Sequence, residues 1–282
     1  MIIKSIKNVS VIIPVYNGYK WASGIIKSLT GNTNSVDELI LVNDGDVLDF
    51  LKLSEMLHLY FNFPIIVVHT LGREGPAVAR NIGIEYAKNE YIAFLDCDDI
   101  WLAGSLGKRV DILVNNPDAS YSYCSFQYIS EQGYLLNIYH VPKVTKLCQL
   151  LVTNYNLVPT LVIRREVLGN KRFPLMGHED YGLLLDLLTT KSAYAIGLDE
   201  VGCQIRVVSD SISSNKKQSI IWHWTILKNY GLPVNLRSFL FIGYAVNGLL
   251  KRKLYYSRPI FFGLDFLANI WLKYRTEVDP NR

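Results

Sequence analysis

Three carboxylates, Asp96, Asp98 and Asp99, fall within four positions directly after the apolar run Ala93-Phe94-Leu95. Tyr91 to Leu95 reads as a short buried strand, so the acidic group stands where that strand emerges, at the edge where open α/β sheets bind ligands. Carboxylates this close repel one another. A hard divalent cation such as Mg²⁺ or Mn²⁺ relieves the repulsion, takes carboxylate oxygens and keeps open positions for the oxygens of a diphosphate. The competing role is structural: Asp98 or Asp99 capping a helix expected near Trp101. Two more acidic groups share the pattern. Asn43-Asp44-Gly45-Asp46 follows the apolar run Glu38 to Val42, and His178-Glu179-Asp180 opens an amphipathic helix with Leu183, Leu184, Leu187 and Leu188 on its apolar side. At that first turn Glu179 has the dipole as its reason, and His178 reads as structural rather than as a metal ligand.

These groups need strands and helices to hold them. Val9 to Val15 is a β-branched run that ends at turn residues Asn17-Gly18, and a helical pattern covers Trp21 to Leu29. Further strands are expected at Glu38–Val42 and Ile65–His69, and helices at Leu48–Tyr60 and Ala77–Ala87, the latter entered through Gly75-Pro76. Alternation of strand and helix implies right-handed crossover units and a mostly parallel sheet. After Asn116 the pattern thins: an aromatic strand over Ala119–Ile129, a helix over Thr145–Thr153, a short strand over Thr160–Arg164 and another over Cys203–Val208. A polar loop, Ser209 to Lys217, then leads to a largely helical tail.

The chain has 282 residues, 50% of them hydrophobic and 12% aromatic, enough to bury a sizeable core as one large domain or one domain with an appendage. That excludes a disordered or fibrous protein. Cys97, Cys124, Cys148 and Cys203 follow neither disulfide nor metal-finger spacing, which points to reduced thiols and a cytoplasmic setting. Met1 to Asn8 leaves no room for the apolar core of a secretory signal. The net charge is +4, yet residues 216–282 hold 11 Lys/Arg against 3 Asp/Glu. The basic character therefore belongs to the tail, and an anionic partner is expected for that end only. No nucleic acid is expected as a partner. Phe239–Leu250 is 12 residues long and Pro259–Leu272 is broken by Asp265, both short of the ~20 residues that span a bilayer. Apolar stretches interleaved with cations are instead the composition of helices lying in a membrane interface.

Five segments resemble one family. Val-Ile-Ile-Pro-Val-Tyr-Asn-Gly (11–18), Val-Asn-Asp-Gly (42–45), Gly-Pro-Ala-Val-Ala-Arg-Asn-Ile-Gly (75–83), Phe-Leu-Asp-Cys-Asp-Asp-Ile-Trp (94–101) and Glu-Asp-Tyr (179–181) occur in the order seen in inverting, nucleotide-sugar-dependent glycosyltransferases of family two, which have the GT-A fold. The resemblance covers roughly residues 9–210, and it is closest to bacterial transferases that assemble O-antigen or capsular units. It implies an α/β, Rossmann-like GT-A domain over residues 1–215, with 1–116 binding the nucleotide-sugar and 117–215 the acceptor, followed by the helical tail 216–282.

The resemblance further implies that Pro14, Val15, Tyr16 and Asn17 line the nucleotide pocket with Asp44, whose carboxylate receives the uracil imide N–H. Asn43 stands where that motif usually has Asp. Asp96, Cys97 and Asp98 would form the metal and ribose site, with Asp98 ligating Mn²⁺ or Mg²⁺ directly and Asp96 and Asp99 supporting it. Arg80, and Arg206 before Ser211 and Ser213, would contact the leaving diphosphate. Asp180 matches the catalytic base. The implied reaction moves one sugar from a nucleotide-sugar, UDP-linked by this reading, to a lipid-linked or other membrane-proximal acceptor at the inner face of the cell membrane. Gln218-Ser-Ile-Ile-Trp222 resembles the processive synthases' motif but lacks its arginine, which argues for single transfer. A catalytically inactive GT-A scaffold would be expected to lose Asp96, Asp98 or Asp180, and a nucleotidyltransferase would want a Gly-rich, basic loop where Val15-Tyr16-Asn17-Gly18 stands.

Overall fold

The computed structural model describes residues 8–190, 192–208 and 216–253, the last stretch without the side chains of 216–219 and 246–253. Its first half is built from β1 (Val9–Val15), β2 (Glu38–Asn43), β3 (Ile65–His69) and β4 (Tyr91–Phe94), connected by α1 (Ala22–Thr30), α2 (Val47–Tyr60) and α3 (Pro76–Tyr86). These strands pair in parallel in the order β3-β2-β1-β4. All of β2, and all of β1 but Pro14, is buried on both faces, which is why they read as unbroken apolar runs rather than as alternation. Pro76 sits in the first turn of α3, where its missing N–H costs nothing.

The chain leaves β1 for β2 on one side and returns as β4 on the other. Beyond the carboxyl ends of strands at such a reversal a crevice opens. Onto that edge come residues 15–18 after β1, 43–46 after β2 and 95–99 after β4. Backbone bonds fasten them: Asp44 N–H donates to Val15 O at 2.8 Å and Leu95 N–H to Ile12 O at 3.0 Å.

The second half adds β5 (Ile100–Trp101), β6 (Tyr121–Ser130), β7 (Leu135–Tyr139), β8 (Val144–Thr145), β9 (Val162–Arg164) and β10 (Ala195–Val207), giving the order β3-β2-β1-β4-β9-β6-β10-β5 with β7 beside β6 and β8 beside β10. β9 is antiparallel to both β4 and β6, while β10 is parallel to β6. The parallel character expected from the sequence therefore holds for the first half, and the completed sheet is mixed. Helices α4 (Ser105–Asn115), α5 (Leu147–Leu150), α6 (Arg165–Leu168), α7 (Glu179–Leu187), α8 (Lys216–Asn229) and α9 (Val234–Lys253) complete the described elements.

Several local expectations are corrected. No helix starts at Trp101; that residue pairs with Cys203 of β10, and its buried indole donates to Pro159 O at 2.7 Å. α4 begins only after Gly104, whose φ of +72° breaks the chain direction. The helix expected over Thr145–Thr153 shrinks to α5 because Val144 and Thr145 pair with β10. β10 starts eight residues earlier than expected, its pairing with β6 stepping across irregularities between Leu198 and Cys203.

The largest correction concerns the tail. Residue 216 is no boundary in the packing, since Ile226, Leu227, Leu232 and Leu240 belong to the same buried cluster as the strands. The Tyr230 hydroxyl lies 2.9 Å from both Gly182 O and Asp186 Oδ1 of α7. Ser211, Ser213 and the apolar stretch 260–272 lie outside the described residues. Among the described residues no helix is long and apolar enough to cross a membrane.

Candidate active site

Beyond β1 and β2 the walls of the crevice are backbone loops. Gly45 lets two of them touch: a Cβ there would lie 3.1 Å from Asn17 N and 3.2 Å from Tyr16 Cα. Asn17 itself takes a left-handed φ of 50°, and Tyr16 stands half-exposed with the Arg73 guanidinium 5.6 Å above its ring. Val15 is part of the core, so its contribution to the pocket is its backbone. Asp44 is buried and largely committed. Its Oδ1 accepts from Thr70 Oγ1 at 2.7 Å and Glu74 N at 2.8 Å, and its Oδ2 accepts from Gly75 N at 2.8 Å. It thereby shapes the 70–75 loop ahead of α3. A carboxylate offers about four acceptor positions, which leaves one for a nucleobase N–H. Asn43 accepts from Gly45 N and meets His69 Nδ1 at 3.2 Å, so the expected aspartate's place is used to tie this turn to β3.

The acidic cluster divides into three environments. Asp99 is buried and accepts from Arg206 N at 2.8 Å; burial and its neighbours Asp98 and Asp96 push its carboxyl well above the usual range. Asp96 is paired with Arg80 through Oδ1 at 2.7 Å. Asp98 is only partly covered, and burial together with Asp96 raises its carboxyl against the opposing charges of Arg206 and Lys20. Cys97 between them is no nucleophile, since burial and the flanking aspartates push its thiol up to about 12. Among the described residues no three acidic, His or Cys side chains are gathered to hold a metal ion unaided. The donor set does suit Mg²⁺ or Mn²⁺ bound by one or two carboxylates plus substrate phosphates, which is the usual habit of Mg²⁺. Asp98 and Asp96 would hold it, and a cation there would offset the burial and the Asp96 charge that raise the Asp98 carboxyl.

The two arginines expected on the diphosphate also carry hydrogen bonds within the protein. Arg206 donates through Nε to Asp98 O at 2.9 Å and through Nη1 to Ser130 O and Glu131 O, and its guanidinium lies 4.7 Å over Trp21. It fastens the acidic turn to the end of β6. Arg80, 5% exposed, spans Asp96 and Glu179, donating to Glu179 Oε1 at 3.1 Å. This single side chain brings the strand-end cluster and the His178-Glu179-Asp180 group into one site. Glu179 is thus no mere dipole partner; burial raises its carboxyl, Arg80 opposes the shift and Asp180 adds to it.

Asp180 sits in the first turn of α7 and accepts from Asn154 Nδ2 at 3.1 Å through Oδ2. Asn154 precedes it by 26 positions in an irregular segment, and no local signal marks it. α8 closes the other side. Trp222 stands edge-on to His178, 5.6 Å between ring centroids, and a Cβ on Gly177 would fall 1.9 Å from its ring. His223 stacks between Tyr181, at 5.0 Å, and Tyr244, at 3.9 Å.

A parallel half-sheet that ends in acidic turns, joined to a mixed half carrying a second acidic helix start, defines a nucleotide-binding GT-A architecture. The model of Glycosyl transferase family 2 matches residues 10–169, and the chain belongs to that family. It is 31% identical to a glycosyltransferase of Haemophilus influenzae over 87% of this chain and 98% of that one. It is 29% identical to the UDP-Glc:alpha-D-GlcNAc-diphosphoundecaprenol beta-1,3-glucosyltransferase WfgD of Escherichia coli over 88% of this chain and 96% of that one. Among solved structures, S. aureus TarS 1-349 in complex with UDP-GlcNAc shares the fold with a TM-score of 0.64 at 17% identity, covering 87% of this chain and 73% of that one. The mannosyltransferase PcManGT from Pyrobaculum calidifontis, in complex with GDP-Man and Mn²⁺, does so with a TM-score of 0.62 at 14% identity, covering 96% and 74%. The chain is a glycosyltransferase.

Proposed function

We propose that the protein is a metal-dependent inverting enzyme that moves one sugar from a UDP-sugar to a lipid-linked diphosphate saccharide at the inner membrane surface, for bacterial surface polysaccharide. The observation that supports this most is the Arg80 bridge from Asp96, at 2.7 Å, to Glu179, at 3.1 Å, since it brings donor-side and acceptor-side carboxylates together. The Escherichia coli relative supports the donor and acceptor class by its name.

In this reading the residues 14–17 loop and the Asp44 turn bind the nucleotide. Asp180 takes the proton of the acceptor hydroxyl as that oxygen bonds to the anomeric carbon, the bond to the diphosphate breaks on the opposite face, and the nucleoside diphosphate departs with the electron pair. Asn154, bonded to Oδ2, orients the carboxylate and leaves Oδ1 for the acceptor. A divalent ion at Asp98 and Asp96 supplies positive charge where negative charge develops on the diphosphate.

The test is UDP release from UDP-glucose and other UDP-sugars in the presence of GlcNAc-diphosphoundecaprenol. Acceptor-dependent release is expected to require Mg²⁺ or Mn²⁺, and Asp98→Ala should lower it ~100-fold or more, as for other losses of transition-state charge stabilisation. Undiminished turnover in excess chelator would contradict the metal, and release from GDP- but not UDP-sugars would contradict the donor.

A further inference from the structure

Arg80 is a buried cation that the reaction as described gives nothing to do. Its Nη2 is spent on Asp96 and its Nη1 on Glu179, its Nε has no hydrogen-bond partner, and its guanidinium lies 5.4 Å over the Phe173 ring. Each of these bonds joins it to a carboxylate that is itself largely covered, with side-chain exposures of 26% for Asp96 and 22% for Glu179. Stripping a buried carboxylate of its partner is strongly unfavourable. The next residue acts on the same stretch: Asn81 Nδ2 donates to Phe173 O and its Oδ1 accepts from Phe173 N, both at 2.8 Å. Adjacent residues of α3 therefore hold the segment leading into α7 at two points, Phe173 and Glu179. Between those points the chain forms neither strand nor helix, and it enters α7 through His178 at a left-handed φ of 58°. Such a stretch has no ladder of its own to fix it.

We propose, on the basis of the transferase reading above, that Arg80 is a positioning residue which sets the Glu179-Asp180 turn against Asp96 and makes no contact of its own with the departing diphosphate. The planar fork of an arginine suits this task. It presents separate N–H groups at fixed angles to two carboxylates, whereas a lysine is a single point of charge. Asp96 on the donor side and Asp180 on the acceptor side are 84 positions apart in sequence, and Arg80 with Glu179 is the side-chain link between their turns.

The experiment is a double-mutant cycle on the full chain with Arg80→Gln, Glu179→Gln and both together, plus Arg80→Lys. It reads kcat for transfer and, by calorimetry with Mg²⁺, the affinity for UDP. A misplaced base costs turnover by ~100-fold while binding persists. The expected result is that loss in either single variant with UDP affinity near wild type, no further loss in the double variant, and only partial recovery in Arg80→Lys. Losses that multiply, or a UDP affinity that collapses in Arg80→Gln and returns in Arg80→Lys with Glu179→Gln silent, would overturn it in favour of a diphosphate contact. Glu179→Gln keeps the side chain's shape, so wild-type kcat in it overturns the proposal even if Arg80→Gln fails to fold. A wild-type chain that neither binds UDP nor transfers sugar overturns the transferase reading itself and this proposal with it. An active wild type with an additive cycle overturns the positioning role alone.

Discussion

At the scale of single residues, three carboxylates that look alike in sequence are given different work by what surrounds them. Asp99 is buried and accepts from a backbone N–H, Asp96 is paired with Arg80, and Asp98 is half-covered, with burial and Asp96 raising its carboxyl against Arg206 and Lys20. Asp180 differs again, being held through Oδ2 by a neutral amide, Asn154, rather than by an arginine. Asp180→Asn is accordingly expected to lower kcat by ~100-fold or more while donor affinity stays near wild type, because the amide keeps the shape but cannot take a proton. Calorimetry beside turnover measures both, and a variant that has lost donor binding would move Asp180 into the donor pocket.

At the scale of elements, α8 is the support of α7. Trp222 covers Gly177, His223 is inserted between Tyr181 and Tyr244, and Tyr230 ties the turn after Asp180. Gly177→Ala would push a methyl group into the Trp222 ring, with a cost of about 1–3 kcal/mol for overpacking. Its displacement acts on the base turn, so transfer should fall more than nucleotide binding does, and turnover beside melting temperature separates the two. His223 makes the same packing sensitive to acid. Burial, aided by the charge of His178, lowers its pKa from 6.5 to about 3, so the folded state prefers the neutral ring. As pH falls below 6.5 the unfolded chain takes up a proton that the folded chain refuses, and stability drops by about 1.4 kcal/mol per pH unit until the folded pKa is reached. His223→Phe keeps the ring stack and removes the titration. Its melting temperature should therefore stay flatter than wild type between pH 6 and 4 in a scanning measurement.

At the scale of the whole molecule, the helical tail is both core and surface. A chain ending at Tyr230 would strip Leu232 and Leu240 from the buried cluster and Tyr244 from His223, so truncation there is expected to destabilise the fold. Its outward side nonetheless keeps Ile220, Ile221, Val234, Phe239 and Ile242 exposed. Residues 216–253 carry seven Lys/Arg and no Asp/Glu. Exposed apolar side chains on helices whose sequence is rich in Lys and Arg suit an anionic leaflet, where each Lys or Arg contributes about 1 kcal/mol and salt screens the attraction. The full chain is expected to co-sediment with phosphatidylglycerol vesicles and not with neutral ones, less so in ~0.5 M salt. The Phe239→Ser/Ile242→Ser double variant should weaken this with the melting temperature unchanged. Equal sedimentation with both kinds of vesicle, or none at all, would leave the tail as core only.

Much of this molecule was legible in its sequence because the information was local. β1 to β4 announce themselves as apolar runs, Gly75-Pro76 marks the start of α3, and each acidic turn directly follows its strand, so the family, the half-sheet and Asp96, Asp98 and Asp180 as candidates were all present in one dimension. Periodicity and turn chemistry act over a few residues, and there the reading held. It failed where partners distant in sequence decided the outcome. Trp101 became strand because β10 and Pro159 were there to receive it, and Thr145 did so through β10. Asp44, Arg80 and Arg206 are charged groups near the site whose protein partners, backbone N–H groups, carboxylates and backbone carbonyls up to 108 positions away, had no mark in the sequence. Asn154 and the packing of α8 against the base helix have no local signature at all. Which charge meets which in a buried site is set by tertiary contacts, because burial favours pairing of polar atoms and only the folded chain determines which partner is within reach.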